Sequence, residues 1–422
     1  MVILLLGCAV QDSIALPDGE VGVDPGDTHT AELIGDSATP DSGSTLSEPE
    51  PYVPGTPDVI VDCAGAGDFT TISAAVSASH SGTKIGLAPC TYQELVNYSG
   101  KSLDIFGLEG AETTIIDGDG DGPIVTAARG EGPGTRLAGV TLTGGRSEYA
   151  SAVYVDTAML SLEHVVLSGN QDAYAVIYGS GAGIDLTDVR MEGNDVSRQG
   201  APIMTDNGYM RAERFYLACN GDTYGIYQHN VTLLLDSEIS CPQAEYAVVV
   251  DSGELHSRGS RIEGGQIGIY GADNPDTLNE RLWLYNTAVV AEGTAATVAY
   301  MHVKVQNSVL FGVEAGLTMT DCHVESFAYD SAFIGGTCPL RGDSTPFAAG
   351  WNAYGEGEGC RVDSFESVTG DPGFRDAPDD FRLSAGSPLV DAGNPEDEHQ
   401  DADGSRGDIG VYGGPAGGGE AE

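Results

Sequence analysis

The sequence predicts an all-β solenoid, a stack of coils without a helical layer, and two observations carry that expectation. Apolar residues followed by a Gly, Cys or Asn turn recur at Leu142, Leu167, Met191, Leu217, Ile239, Ile262, Val290 and Leu310, at spacings of 20 to 28 residues, the length of one coil. Inside each unit short alternating strands replace any helical period. No unit can bury its own apolar face, so each must stack on its neighbours. Composition agrees, because 60 glycines and 7% aromatics in 422 residues suit many turns and thin strands.

The units overlay residue by residue at 162–170, 186–194 and 212–220. Asn170, Asn194 and Asn220 each follow the apolar anchor by three positions, where a sharp turn favours a left-handed residue and stacked amides can form a ladder. This pattern resembles the single-stranded right-handed parallel β-helix of the pectate-lyase-like type, from about residue 59 onward. The resemblance implies a helical cap at the N-terminal end and a second cap at the C-terminal end, since an uncovered end coil exposes its core and a row of unpaired backbone groups.

The two ends carry their own motifs. Gly67-Asp68-Phe69-Thr70-Thr71-Ile72-Ser73-Ala74-Ala75-Val76, followed by Cys90-Thr91-Tyr92-Gln93-Glu94, is similar to the opening of pectin methylesterases, with Cys90 where their Gly-x-Tyr-x-Glu motif has Gly. The resemblance implies a short amphipathic helix over the first coil. The esterase catalytic motifs do not occur, so no catalytic residue carries over. Asp371-Pro372-Gly373-Phe374, Asp380-Phe381-Arg382-Leu383, Gly386-Ser387-Pro388-Leu389 and Asp408-Ile409-Gly410 resemble the closing segment of bacterial right-handed β-helix proteins. Within it Asp397, Asp401, Asp403 and Asp408 surround an Asp-x-Asp-Gly turn, an oxygen-rich set suited to Ca²⁺; no other cofactor is expected.

Four regions follow. In residues 1–8, Leu5-Leu6-Gly7-Cys8 resembles a bacterial lipobox, which implies a shortened signal, export, and acylation of Cys8 at an outer membrane or cell surface. Residues 9–57 hold no Lys or Arg and are rich in Asp, Glu, Gly, Pro, Ser and Thr, the composition of a disordered acidic linker. Residues 58–390 form the β-helix with its N-terminal cap, and 391–422 the C-terminal cap and acidic tail.

Export makes disulfides permissible for the seven cysteines after Cys8. Cys219 and Cys241 each lie two residues beyond an inward anchor, so they occupy one site in consecutive coils about 4.8 Å apart. They are expected to form a staple between rungs. Cys63 with Cys90 is expected to close the N-terminal cap and Cys338 with Cys360 a late loop, with Cys322 the odd member.

The 64 acidic against 18 basic residues give a net charge of −46, which repels nucleic acid and anionic membrane surfaces. Glycans and divalent cations fit such a surface. Contact with a membrane is expected only through a lipid at Cys8, and the chain is expected to act as a monomer.

The second strand of each coil separates two faces by parity. In 153–156, 177–180, 203–206, 226–229, 248–251, 269–272 and 299–302 the odd members are mostly Val and Ile, while the even ones carry Tyr, Asp, Ser or His. Tyr154, Tyr178, Tyr227, Tyr270 and Tyr300 are therefore expected to point outward in a column beside Asp156, as an elongated strip for sugar rings and hydroxyls. The leading expectation is a noncatalytic cell-surface carbohydrate-binding or adhesive module. A polysaccharide hydrolase is the alternative: Asp206 and Asp251 stand two coils apart with His229 between them, at roughly 9 to 10 Å by strand spacing, close to the carboxylate separation of inverting glycosidases. Polygalacturonase signatures are missing, and Arg190, Arg214 and Arg261, which a lyase could use, are expected in surface ion pairs. A structural spacer is the third expectation.

Overall fold

The computed structural model describes residues 49–197, 200–221, 223–272, 280–322, 326–336, 338–343, 347–355 and 364–417. Each coil contributes to three faces. The first face is a sheet of 13 short strands, beginning with Cys90–Gln93 and ending with Val368–Thr369. The second and third faces share a 22-stranded sheet, because in two coils the chain passes through the corner between them unbroken, as strands Ile203–Glu213 and Tyr224–Leu235. Successive coils pair in parallel on all three faces. The fold is the right-handed parallel β-helix expected from the repeat.

The anchors of the repeat stack inside the solenoid. Leu142, Leu167, Met191, Leu217, Ile239 and Ile262 are partners in successive pairings, and all are fully buried. The column continues through Val289 and Leu310, so Val290 stands one residue out of register and points outward. Val289 and Val290 are both apolar, and parity cannot choose between them when the outward one is also covered. Here it is covered by the closing segment, whose Phe381, Leu389, Ile409 and Val411 form a second apolar cluster with Val290, Val309 and Ala332.

The corner between the third and first faces uses one left-handed residue per coil. Gly139, His164, Asp188, Arg214, Asp236, Gly259, Asn286, Asn307, Asp330 and Trp351 all have φ between 45° and 62°. Residues with a Cβ resist this region, and an internal ladder offsets the cost. Ser237, Ser260, Ser308 and Ser331, each next to such a corner residue, accept through their Oγ atoms the backbone N–H groups of Phe215, Ser237, Thr287 and Ser308 in the preceding coil, at 3.1 to 3.2 Å. Asn352 Oδ1 accepts from Ser331 N at 3.0 Å. The asparagine ladder expected from the overlay is present at Asn170 and Asn194, where Nδ2 of the first donates to Oδ1 of the second at 2.9 Å.

Both ends are closed. The helix Ile72–Ala78 buries Ile72, Ala75 and Val76 on the first coil. Glu94 accepts the N–H groups of Ile72 and Ser73 at 2.7 and 2.9 Å, and Lys101 Nζ donates to the Val76 carbonyl at the other end. The Tyr and Glu of the opening motif are thus cap residues, with Tyr92 Oη donating to Ala88 O at 2.8 Å. At the far end, His399 Nδ1 lies 2.7 Å from Oδ2 of the buried Asp330 and ties the closing segment to a late coil.

The acidic stretch before the solenoid departs from a wholly disordered linker in its last residues. Tyr52 Oη donates to Gly107 O at 2.6 Å, its ring packs edge-on against His164 at 5.3 Å, and Glu50 N donates to Asp188 Oδ1. Residues 49–57 therefore run across several coils along the left-handed corner. Cys8 and the rest of that stretch lie outside the described residues. Disulfides join Cys63 to Cys90 and Cys219 to Cys241, with Cα separations of 6.4 and 4.8 Å. Such bonds persist in oxidising compartments. Cys360, the expected partner of Cys338, lies outside the described residues. Among the described residues no helix is long and apolar enough to cross a membrane.

Candidate functional site

The second face is where outward side chains gather into a surface. Inward positions Val153, Ile177, Ile203, Ile226, Val248 and Ile269 align from coil to coil and are fully buried. Their immediate neighbours point out, in the order Tyr154, Tyr178, Met204, Tyr227, Val249, Tyr270. The tyrosine column is real but interrupted. Tyr154 and Tyr178 stack with ring centroids 5.9 Å apart and planes 6° from parallel. Tyr300 does not belong to it: Tyr270 pairs with Thr297, and Tyr300 is the left-handed residue (φ 60°) of the following corner. Ala299-Tyr300-Met301-His302 imitates the pattern three residues too late, because the strand Thr294–Ala299 itself holds no tyrosine.

A second row of tyrosines escaped the overlay. Tyr149 and Tyr174 precede their strands, and Tyr224 and Tyr246 open theirs. Tyr224 stacks on Tyr246 at 5.8 Å and meets Tyr227 edge-on at 5.5 Å; Tyr246 meets Tyr270 at 5.4 Å. Tyr178, Tyr224 and Tyr227 close over Ala175, Ala201 and Met204, a small apolar cluster on the outside of the sheet. Its signal in the sequence is a Tyr followed at once by Ala or Gly at 149, 174, 224 and 246.

Two positions beyond the tyrosine column runs a polar one: Asp156, Ser180, Asp206 and His229, followed in the next coil by Asp251. The sequence placed Asp206, His229 and Asp251 in neighbouring coils, and the structure brings them into contact. His229 Nε2 is 2.9 Å from Asp251 Oδ2, and Nδ1 is 3.5 Å from Asp206 Oδ1. Tyr227 Oη donates to the same Asp251 oxygen at 2.7 Å. These side chains are about two-fifths exposed.

His229, Asp251 and Tyr227 tune one another. The hydrogen bond to Asp251 outweighs burial and raises the His229 pKa, and the same bond, with that from Tyr227, holds the Asp251 carboxyl below its ordinary range. Burial and Asp251 together push the Tyr227 hydroxyl up, so it stays protonated. The cluster thus favours the protonated form of an imidazole that lies between two carboxyl groups. Its chemistry is hydrogen bonding and charge, with Asp251 ionised and occupied rather than poised as a general acid.

The remaining expected site residues are placed as follows. Asp156 lies at the head of the polar column, accepting from Thr157 Oγ1 at 3.0 Å. The four aspartates of the Ca²⁺ set each serve nearby groups: Asp401 accepts from Gly414 N and Asp408 N, Asp408 from Asp391 N, Asp403 from Ser405 N, and Asp397 from Gln400 Nε2. Among the described residues, potential ligand atoms converge within 4.8 Å only at Glu396, Glu398 and His399. Arg190 pairs with Glu192 at 2.7 Å and Arg214 makes a two-pronged bond to Asp188 at 2.7 and 2.9 Å, while the Arg261 guanidinium lies 5.8 Å from the Phe381 ring.

No family model matches the chain, and no curated protein matches it. Among solved structures, the A-module of mannuronan C-5 epimerase AlgE6 from Azotobacter vinelandii is similar over 71% of this chain and 93% of its own, at 12% identity and a TM-score of 0.47. PfbA, a surface adhesin of Streptococcus pneumoniae, is similar over 71% of this chain and 84% of its own (11% identity, TM-score 0.39). Pectate lyase Pel9A is similar over 82% and 91% (13% identity, TM-score 0.34). At these values the likeness speaks to neither the site nor a reaction.

Proposed function

We propose that the chain is an exported, noncatalytic carbohydrate-binding or adhesive module, anchored by a lipid at Cys8, that engages a glycan along its second face. The observation that carries this reading is the surface of tyrosine rings flanked by Asp156, Asp206 and Asp251. Rings offer apolar area to the faces of sugars, and carboxylates accept from their hydroxyls. Among the described residues, the strap at 49–57 lies along the left-handed corner and the third face, and the closing segment lies against first-face strands. Connections leading to the strip are short at 242–245 and 265–266 and longer at 192–202.

The hydrolase reading gains the contact between Asp206, His229 and Asp251, but Asp251 does not suit the role of its acid. An inverting mechanism needs one carboxyl held protonated, whereas Asp251 is shifted the other way. The test is retention on a panel of immobilised polysaccharides. The wild-type chain is expected to be retained by at least one, and a Tyr178→Ala, Tyr227→Ala double variant to elute with the void. Unchanged retention of the variant on every glycan would refute the strip. Release of reducing sugar that disappears in Asp206→Asn would replace it with the hydrolase.

A further inference from the structure

Basic residues are segregated among the faces. No strand of the second face from Ala150–Asp156 to Ala315–Thr320 contains a Lys or Arg; nor do the second-face portions, 203–206 and 224–229, of the two long strands. Third-face strands hold Arg136, Arg258, Arg281 and Lys304, and first-face strands hold Arg190 and Arg261. Within those strands the one basic group is His229, already held between Asp206 and Asp251; Arg341 enters the face only in the next strand, Cys338–Asp343. Asp156 and Asp206 lie close enough to Tyr178 for their charges to act on its hydroxyl. Aromatic rings bordered by carboxylates, with no Lys or Arg on the strands that carry them, form a surface suited to a ligand that brings the positive charge.

We infer that the ligand class is an amine-bearing glycan, a chain of glucosamine-type sugars rather than of uronates or neutral hexoses. This rests on the second face being the glycan platform. Each such sugar brings a ring face for tyrosine, hydroxyls for the carboxylates, and an ammonium that a ring and an aspartate can share. A uronate would set its carboxylate against Asp156 and Asp206. The rise of one coil, 4.8 Å between the Cα atoms of Cys219 and Cys241, is close to the length of one sugar in an extended chain. Amines on alternate sugars would then meet Asp156 and Asp206, which stand two coils apart.

The test is calorimetric titration of the full chain at pH 6 with glucosamine tetramer, its N-acetylated counterpart and galacturonate tetramer. The amine form is expected to bind about tenfold or more tightly than the acetylated form, with salt weakening it. Asp156→Asn should bring the two together, and Tyr154→Ala with Tyr178→Ala should abolish both. Equal, tyrosine-dependent binding of the amine and acetylated forms would overturn the charge inference while leaving the platform standing. Amine binding that survives loss of both rings would reduce it to bulk attraction by a −46 chain and overturn it as well. Silence with every tetramer would remove the platform and the inference together.

Discussion

His229 shows how a single residue sets the character of the site. Its raised pKa and the lowered pKa of Asp251 act in opposite pH directions. The share from His229 is full below its ordinary 6.5 and is lost as pH rises through the folded value; the share from Asp251 is present above 3.8 and is lost as pH falls through its folded value. The cluster is therefore tightest between 3.8 and 6.5. An NMR titration of the His229 ring should give a midpoint above 6.5, and Asp251→Asn should lower it; an unchanged midpoint in the variant would refute the pairing. The column of Asp206, His229 and Asp251 was legible because parity within a β-coil is strict. The Tyr227 hydrogen bond was not, since it reaches diagonally past Val249 and depends on a side-chain rotamer. Tyr300 misled for the opposite reason, being a corner residue that looks like a strand residue when read in isolation.

At the scale of the element, stability comes from identical contacts repeated along the stack, and the Cys219–Cys241 staple reinforces one such contact. It closes a loop of 22 residues between adjacent rungs. By chain entropy this contributes about 3 kcal/mol, so a Cys219→Ser, Cys241→Ser variant should unfold at lower denaturant by that margin, with neighbouring coils losing exchange protection first. A stability unchanged within error would contradict the staple. The spacing of the two cysteines gave this pair in advance. The serine ladder was also written in the sequence, as Asp236-Ser237, Gly259-Ser260, Asn307-Ser308 and Asp330-Ser331, but only the left-handed corner explains what a small hydroxyl does there; the earlier corners are followed by Val140, Val165, Val189 and Phe215 instead. The strap at 49–57 was hidden by its composition. A stretch poor in apolar residues cannot fold alone, yet Tyr52 finds on the finished solenoid a carbonyl and a ring to pack against.

For the whole molecule, an acidic solenoid must keep its ends shut, and the C-terminal closure is built from titrating groups. Asp330 raises the pKa of His399, and burial pushes Asp401 up to about 7 against the pull of the N–H groups of Gly414 and Asp408. Both groups hold protons more tightly when folded. The share from Asp401 falls as pH climbs from 3.8 to about 7, and that from His399 as pH climbs past 6.5 through its raised value. Protease cleavage within 392–417 should therefore be faster at pH 8 than at pH 5 once protease activity is normalised, and His399→Gln with Asp401→Asn should flatten the difference. Faster cleavage at pH 5 would contradict this account of the closure. The caps were legible as motifs, whereas the mutual burial that tunes them appears only when the chain returns to coils some 70 residues earlier.

The central claim is that tyrosines and carboxylates from successive coils form one glycan surface. A crystal structure of the chain with a bound oligosaccharide tests it most directly. The account predicts sugar rings lying along the second face, in contact with Tyr154, Tyr178 or Tyr227 and within hydrogen-bond reach of Asp156 or Asp206. Sugar bound on the third face, or only at an end cap, would contradict it.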